Sequence, residues 1–387
     1  MRLYPLVRVP APIRLPGLDL LRAVAITWVM VCHAGGFGLL PSDYFGWMGV
    51  DLFFVLSGFL IGGQLFRPFT RGEAPDYRGF FARRLLRTLP AYLVVVGLYA
   101  AFPILWDRMS FQPVWQFLTF TQNLFIDPTK SNSLSQAWSL CVEEQFYLLL
   151  PAAIVLLGPR TRPRTVLAAV AAVLVFGMAL RGRLWLGHVG GAAQLHLPSP
   201  NGAAYMRYIY YPTWTRLDGL LAGVTVALVK SFRPELWARA MARPNAVLVA
   251  GAGGVGLSIL FFGDQVTTFW PTVFGFPLLA ASMAALVAAG GETTSWIGGR
   301  ALPGAGALAA ISYSLYLIHK MAYKAVIRLM QEAAPAWQVL TPVLAVAAAL
   351  AAGALLYVAV ERPFLGIRDR FRRTARPDVA PVAQAAE

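Results

Sequence analysis

Residues 18–40 read LDLLRAVAITWVMVCHAGGFGLL, an apolar run that contains one arginine and one histidine. A bilayer core about 30 Å thick requires roughly 20 apolar residues in a helix, so this run predicts a membrane-spanning helix. Arg22 lies near its beginning, where the side chain can reach the interface. His33 lies about 16 Å further along the axis. Ionisable groups at such depth are costly and usually face a protein-lined cavity, so we interpret His33 as functional rather than as a hydrogen-bonded structural residue.

The composition of the chain also predicts a membrane protein. Of 387 residues, 58% are hydrophobic and only 13% are charged, against about 25% charged in a soluble domain. The sequence therefore predicts an all-α, polytopic membrane helical bundle with about ten transmembrane helices. The predicted apolar runs are 18–40, 47–66, 85–105, 136–158, 164–181, 212–230, 245–263, 269–289, 303–328 and 338–360.

Basic residues are distributed unevenly between these runs, and the net charge is +15. Arginines concentrate in every second connection and at both chain ends, which places both termini in the cytoplasm by the positive-inside rule. This bias accounts for the basic excess without a nucleic-acid partner. We divide the chain into a basic cytoplasmic segment (1–17), a transmembrane domain (18–363) and a cytoplasmic tail (364–387) that is basic and then disordered.

Polar residues cluster at one predicted depth of the membrane. With this topology, His33 shares the outer layer with Asp51, Glu143, Arg216 and Asp218. Such a layer predicts a cavity that opens outward. Arg216 and Asp218 could equally form an ion pair with each other.

The ninth run carries Tyr313, Tyr316 and His319, which are three residues apart and therefore share a helix face. Tyr147 belongs to an aromatic stripe that suits helix packing or an interfacial belt, with a substrate cage as the alternative. Arg84 and Arg87 flank the start of the third run. They are the expected positive flank of a membrane helix, or an anion site in which guanidinium groups bind phosphates.

Seven segments resemble acyltransferase family 3, whose members are membrane proteins that O-acylate sugars, surface polysaccharides and some antibiotics. The segments are LDLLRAVAITWVMVCH (18–33), GVDLFFVLSGFLIG (49–62), FFARRLLRTLPAY (80–92), WSLCVEEQFYLLLP (138–151), RLDGLLAG (216–223), ISYSLYLIH (311–319) and ERP (361–363). They follow the family order and cover nearly the whole chain. Some members add a further span and a soluble esterase-like domain, whereas this sequence resembles the stand-alone form.

The resemblance implies transfer of an acyl group, commonly acetyl, from cytoplasmic acyl-coenzyme A to a hydroxyl group. His33 would be the general base, and Glu143 would orient the imidazole or stabilise its charge. The phosphates of acyl-coenzyme A would be bound by Arg84 and Arg87 with help from Arg22 or Arg14. Acyl-coenzyme A is then a co-substrate, and neither a resident cofactor nor a metal is expected. Direct transfer and an acyl-histidine intermediate both remain open.

The acceptor side is implied less directly. Arg216, Asp218, Tyr313 and His319 would line it, with Asp51 and Tyr147 on that side or in structural support. We expect the acceptor to be a lipid-linked or surface glycan, such as lipopolysaccharide, modified by an enzyme of the bacterial inner membrane. The alternatives are acylation of a small glycosylated natural product and, in a different class, a glycan or solute transporter with buried polar residues at the midplane.

Overall fold

The computed structural model describes residues 15–39, 45–130, 132–158, 162–191, 201–263, 267–332 and 334–374. These residues form helices and connections, with no strand and one isolated bridge between Ser110 and Asn132. The bundle is built from α1 (Pro16–Gly36), α2 (Met48–Phe66), α3 (Tyr77–Ala101), α4 (Ala137–Leu157), α5 (Pro163–Leu184), α6 (Asp218–Phe232), α7 (Pro244–Phe262), α8 (Phe276–Gly290), α9 (Ala305–Gln331), α10 (Thr341–Leu356) and α11 (Arg362–Thr374).

The predicted all-α membrane bundle is confirmed. By length and composition, 8 helices of the described residues can cross a membrane, namely α1 to α5, α7, α8 and α10. Helices α6 and α9 coincide with the two remaining predicted runs. The first is shorter, with 15 residues, and the second carries the polar residues of the site. All ten predicted apolar runs therefore correspond to helices.

Three boundaries differ from the predicted runs. Helix α3 begins earlier, at Tyr77, because the Asp76 carboxylate accepts a hydrogen bond from the Gly79 N–H at 2.8 Å and caps the helix. Helix α6 begins later, at Asp218, after a short 3₁₀ turn over Thr213–Thr215. The basic part of the predicted tail is helical through Thr374, and residues 375–387 lie outside the described residues.

Helix α2 lies at the centre of the bundle, where most of its surface is buried against α1, α6 and α8. Two glycines allow α2 and α6 to approach closely. A Cβ atom at Gly58 would collide with the carbonyl oxygen of Leu220, and one at Gly223 would collide with that of Val55. Small residues at a helix crossing give the close packing that membrane helices need in place of a hydrophobic driving force.

The connection between α3 and α4 enters the bundle instead of remaining outside it. Its short helices Val114–Leu118 and Gln122–Phe125 contact side chains well inside the neighbouring helices. The Tyr92 hydroxyl donates to the Phe117 carbonyl at 3.1 Å, and the Gln145 amide donates to the Phe120 carbonyl at 2.7 Å. Both donors lie roughly 12–14 Å from the nearer ends of α3 and α4. Irregular backbone at such depth requires partners of this kind.

The arginine-rich end of the bundle is where α2 ends and α3 begins, and it carries Arg67, Arg71, Arg78 and Arg83. The far end is where α1 ends and α2 begins. Helix α11 packs along α3 at the arginine-rich end.

Candidate active site

A cavity of about 800 Å³ begins at the arginine-rich end and extends into the bundle between α2, α3, α4 and α9. This volume is typical of a small-molecule site. The charged side chains that line it comprise six arginines and three acidic residues: Arg22, Arg67, Arg83, Arg84, Arg87, Arg368, Glu73, Asp76 and Glu143. The mouth of this space is at the end of the bundle opposite to the one at which the predicted outer layer would open.

Three of the six arginines at the cavity result from the register of α3. Arg83, Arg84 and Arg87 lie within one turn of each other just after the capped start of the helix. Arg83 is paired with the capping residue Asp76 at 3.3 Å. Arg87 forms no hydrogen bond with another described residue, so its guanidinium group is available for an anion. Charge-assisted hydrogen bonds from such groups are the strong interactions by which proteins bind phosphates.

Arg84 is paired with carboxylates deeper in the cavity. Its guanidinium group donates to Glu143 at 3.2 Å, lies 3.7 Å from Glu144 and stacks 3.7 Å from the centre of the Tyr147 ring. The Tyr147 hydroxyl also donates to Glu143. The structure thus supports Tyr147 in a structural role and gives Arg84 less freedom than Arg87 to bind a ligand.

The expected pairing of Glu143 with His33 is not found. Glu143 is held by Arg84 and Tyr147, whereas the Nδ1 atom of His33 lies 2.8 Å from the Nε2 atom of His319. Glu143 was predicted from its depth and from the family resemblance, and neither determines which way a side chain points around the helix axis. His319, rather than Glu143, is the residue that orients His33.

The hydrogen bonds of the histidine pair determine its tautomers. The Nδ1 atom of His319 lies 3.0 Å from the Leu315 carbonyl oxygen, which can only accept, so this nitrogen carries the proton. In neutral His319 the Nε2 atom is then an acceptor, and Nδ1 of His33 must be the donor. The second nitrogen of neutral His33, Nε2, is left unprotonated. A partner that fixes one nitrogen as donor and leaves the other basic is the arrangement required of a general base.

The histidine pair lies beside the deep end of the cavity but does not line it. His319 is buried and His33 is partly exposed. Tyr316 and Ser139 line the cavity, their hydroxyl oxygens are 2.6 Å apart, and the Tyr316 ring centre is 6.2 Å from that of His319. A ligand that fills the cavity therefore ends next to the pair.

Of the remaining predicted residues, two line the cavity and three lie in buried ion pairs. Arg22, paired with Asp19 at 3.0 Å, lines the cavity, as does Tyr313, whose hydroxyl donates to the Thr88 carbonyl at 2.8 Å. Arg14 lies outside the described residues.

Arg216 and Asp218 do not pair with each other, although that was one of the two interpretations left open. Arg216 donates two hydrogen bonds to Asp51, at 2.9 and 3.0 Å, and Asp218 receives two from Arg181, at 2.6 and 3.1 Å. All four side chains are at most 6% exposed. This buried network joins α2, α5 and α6, so its members have a supporting role and do not form the acceptor surface predicted for Arg216 and Asp218.

The structure also brings to these groups residues to which sequence reasoning gave no role in the site. Arg181 lies in the fifth apolar run, where a buried arginine is itself a signal. Arg368 lies beyond the family-like motifs and reaches the cavity because α11 packs along α3. Lys320 follows His319 directly, and its ammonium group pairs with Asp107 at 2.9 Å.

Asp107 ties the connection after α3 to α9, close to the histidine pair. The Asp107 carboxylate also accepts hydrogen bonds from the Tyr99 hydroxyl at 2.8 Å and from the Leu134 N–H at 3.0 Å. Burial by itself raises the pKa of Asp107, but Lys320 and these hydrogen bonds outweigh burial and leave its pKa below the ordinary value of 3.8.

Asp107→Asn is therefore expected to lower the melting temperature of the detergent-solubilised protein, with a defined pH dependence. A carboxyl group whose pKa is depressed by folding contributes stability above its unfolded pKa and loses it as the pH falls through the folded value. The difference in melting temperature between wild type and variant should be constant from about pH 8 to about pH 5 and shrink only in stronger acid. A difference that already disappears near neutral pH would contradict this assignment.

A protein-family model and several curated proteins match this chain. The family model described as an acyltransferase domain matches residues 15–361. The O-acetyltransferase OatA of Staphylococcus aureus (strain NCTC 8325 / PS 47) is 28% identical over 274 residues, which are 66% of this chain and 42% of that protein. The peptidoglycan O-acetyltransferase OatA of Listeria monocytogenes is 29% identical over 287 residues, covering 70% of this chain and 43% of that protein.

A third relative is the putative peptidoglycan O-acetyltransferase YrhL of Bacillus subtilis, 32% identical over 228 residues, which are 56% of this chain and 33% of that protein. The chain thus spans less than half the length of these curated relatives. No solved structure matches it.

Proposed function

The chain belongs to acyltransferase family 3, and from that premise we propose that it is a membrane O-acetyltransferase that moves an acetyl group from acyl-coenzyme A to a hydroxyl group of a cell-envelope glycan. The observation that carries this proposal is the cavity itself. It has six arginines along its length and ends beside the His33–His319 pair. Two of the relatives are named for peptidoglycan, which supports an envelope glycan over a small natural product as the acceptor.

The arginine-rich end is proposed to face the cytoplasm, in agreement with the positive-inside rule. The phosphates of acyl-coenzyme A would then bind at the mouth, to Arg83, Arg87 and Arg368. The flexible arm would extend along the cavity and bring the thioester to Tyr316 and Ser139. This places the donor on one side of the histidine pair and leaves the far end for the acceptor. The proposed location is the cytoplasmic membrane of a bacterium.

The chemistry follows from the tautomers. The acceptor hydroxyl gives its proton to Nε2 of His33 as its oxygen attacks the thioester carbonyl carbon. The resulting His33 cation is stabilised through Nδ1 by the acceptor nitrogen of His319. When the tetrahedral intermediate collapses, the carbon–sulfur bond breaks, and the thiolate of coenzyme A recovers the proton from His33. The products are the O-acetyl ester and free coenzyme A, and His33 returns to its neutral form.

The proposal is tested with protein reconstituted into vesicles. Labelled acetyl-coenzyme A supplied to the arginine-rich face, with peptidoglycan fragments on the other, should give labelled glycan together with an equal amount of free coenzyme A. Movement of a solute with no release of coenzyme A would identify a transporter instead. Consumption of acetyl-coenzyme A without any labelled glycan would exclude peptidoglycan as the acceptor.

Arg87→Gln is expected to raise the KM for acetyl-coenzyme A roughly ten- to a hundredfold, because a hydrogen bond to a charged group contributes about 1.5–3 kcal/mol. Arg368→Gln should act in the same direction. The matched control is Arg78→Gln, which removes an exposed arginine from the same helix outside the cavity. The measurement is steady-state release of coenzyme A at saturating acceptor. A lower kcat with unchanged KM would show that Arg87 does not bind the donor.

A further inference from the structure

The far end of the bundle presents a cationic and aromatic surface next to His33. Arg108 is exposed, and its guanidinium carbon lies 5.5 Å from the centre of the Phe37 ring. Phe37 follows His33 by one helical turn and closes α1, where its N–H bonds to the His33 carbonyl at 3.1 Å. Burial raises the pKa of Tyr211, and the positive charge of Arg108 opposes that rise. These three residues, Phe37, Arg108 and Tyr211, are called the far-end rim below.

Arg108 is held in place although its side chain is exposed. The preceding carboxylate, that of Asp107, is buried and bound by Lys320, Tyr99 and the Leu134 N–H. The Arg108 N–H itself donates to the Ser133 hydroxyl at 2.9 Å. The backbone of Arg108 is therefore held in place, and its guanidinium group lies over the Phe37 ring, one helical turn from His33.

The charge of Arg108 is not neutralised within the described part of the chain. Its side chain forms no ion pair or hydrogen bond with another described residue, and the adjacent carboxylate is already paired with Lys320. A guanidinium group in this state matches a carboxylate, to which it can donate two parallel hydrogen bonds.

The aromatic members of the rim complete a surface that suits a sugar. Phe37 packs edge-on against Tyr323 at 6.2 Å, and Tyr211 packs against Trp138 at 5.7 Å, so both rings are fixed but remain partly exposed. Burial raises the pKa of Tyr211 to about 12, although nearby Arg108 lowers it, so its hydroxyl remains a neutral donor at physiological pH. An aromatic ring with a polar tip, such as that of Tyr211, is typical of surfaces that are apolar on one side and wet on the other.

We propose that the far-end rim is an acceptor subsite that selects sugars bearing a carboxylate, with Arg108 as the specificity-determining residue. This inference rests on the proposed O-acetyltransferase function and adds the charge of the acceptor. The carboxylate binds Arg108 while the sugar ring lies against Phe37 and Tyr211. A hydroxyl group of the same unit then reaches Nε2 of His33, on the side of the histidine pair opposite to the donor cavity.

The test compares one acceptor in two charge states. A soluble β-1,4-linked oligosaccharide with free carboxylates and its methyl ester are each given to reconstituted protein with acetyl-coenzyme A. Wild type should prefer the free acid. Arg108→Gln should lower kcat/KM for the free acid roughly ten- to a hundredfold, and the loss on the ester should be at least tenfold smaller. Arg108→Lys should recover part of the loss.

The matched control is Arg207→Gln, which removes another exposed arginine, one that lies 5.7 Å from the centre of the Tyr208 ring. It should not change the preference for the free acid. Equal losses of Arg108→Gln on both acceptors, or a wild type without preference, would overturn the inference while leaving the proposed function intact. Failure of the wild type to consume acetyl-coenzyme A with any glycan would instead refute the proposed function.

Discussion

Replacing His33 by alanine is expected to lower acetyl transfer about 10²–10⁴-fold, the usual contribution of a general base. The reason is geometric. His33 is the member of the histidine pair whose Nε2 atom is left as an acceptor, because His319 donates to Leu315 and receives the hydrogen bond from His33. Initial rates of glycan acetylation at saturating acetyl-coenzyme A measure the effect. The melting temperature and yield of the purified protein show whether the fold is retained.

Variants of His319 separate a positioning role from mere packing. His319→Gln retains a side-chain oxygen that can accept from His33, whereas His319→Ala removes the acceptor. The expected order of activity is wild type, then His319→Gln, then His319→Ala, with KM for acetyl-coenzyme A unchanged. His188→Ala is the matched histidine control, since His188 is exposed and stacks on Tyr208 away from the cavity. Turnover like wild type in His33→Ala would end the base assignment.

Removing the carboxylate of Asp51 is expected to produce the largest loss of stability. Asp51→Ala leaves the Arg216 guanidinium group buried, with both of its hydrogen bonds to α2 lost. Breaking a buried ion pair in this way typically costs about 3–5 kcal/mol, a large part of the stability of most proteins. We expect poor insertion or a strongly lowered melting temperature in detergent. Size-exclusion chromatography measures the yield of folded protein, and thermal unfolding measures its melting temperature.

Two comparisons make the Asp51 experiment specific. Asp127→Ala removes a carboxylate from a surface pair with Lys130 at 3.7 Å and is expected to leave the melting temperature close to that of wild type. Asp51→Asn combined with Arg216→Gln removes both charges and should recover part of what Asp51→Ala loses. A melting temperature for Asp51→Ala like that of wild type would show that the pair does not support the fold.

The histidine pair and the arginine mouth differ in how far the sequence could predict them. His33 was identified from a single feature, an ionisable side chain in the middle of an apolar run, and Arg84 and Arg87 from their spacing. His319 was correctly placed on one helix face with Tyr313 and Tyr316, but it was assigned to the acceptor side. Helical periodicity relates residues within one helix and does not show which helix lies opposite. The partner of His33 comes from α9, 286 residues further along the chain.

The partners in the two buried ion pairs could not be predicted from the sequence either. Arg216 and Asp218 are near neighbours in sequence, so a mutual pair was a reasonable alternative. In the structure each bonds to a residue on a different helix, Asp51 on α2 and Arg181 on α5. Arg216 precedes α6 and Asp218 begins it, so their side chains leave the backbone in different directions. The packing of α2 and α5 against the start of α6 therefore decides that Arg216 pairs with Asp51 and Asp218 with Arg181.

The sequence alone determined that this chain is a helical membrane protein, where its helices lie and which family motifs it carries. Those features depend on local quantities, namely the length of apolar runs, the spacing of residues along one helix and the identity of short segments. Tertiary structure alone decided that His33 pairs with His319, that Glu143 is bound by Arg84, and that Arg368 reaches the cavity. These contacts join residues far apart in the chain, and their directions are set by the rotation of each helix about its axis, which helix–helix packing fixes.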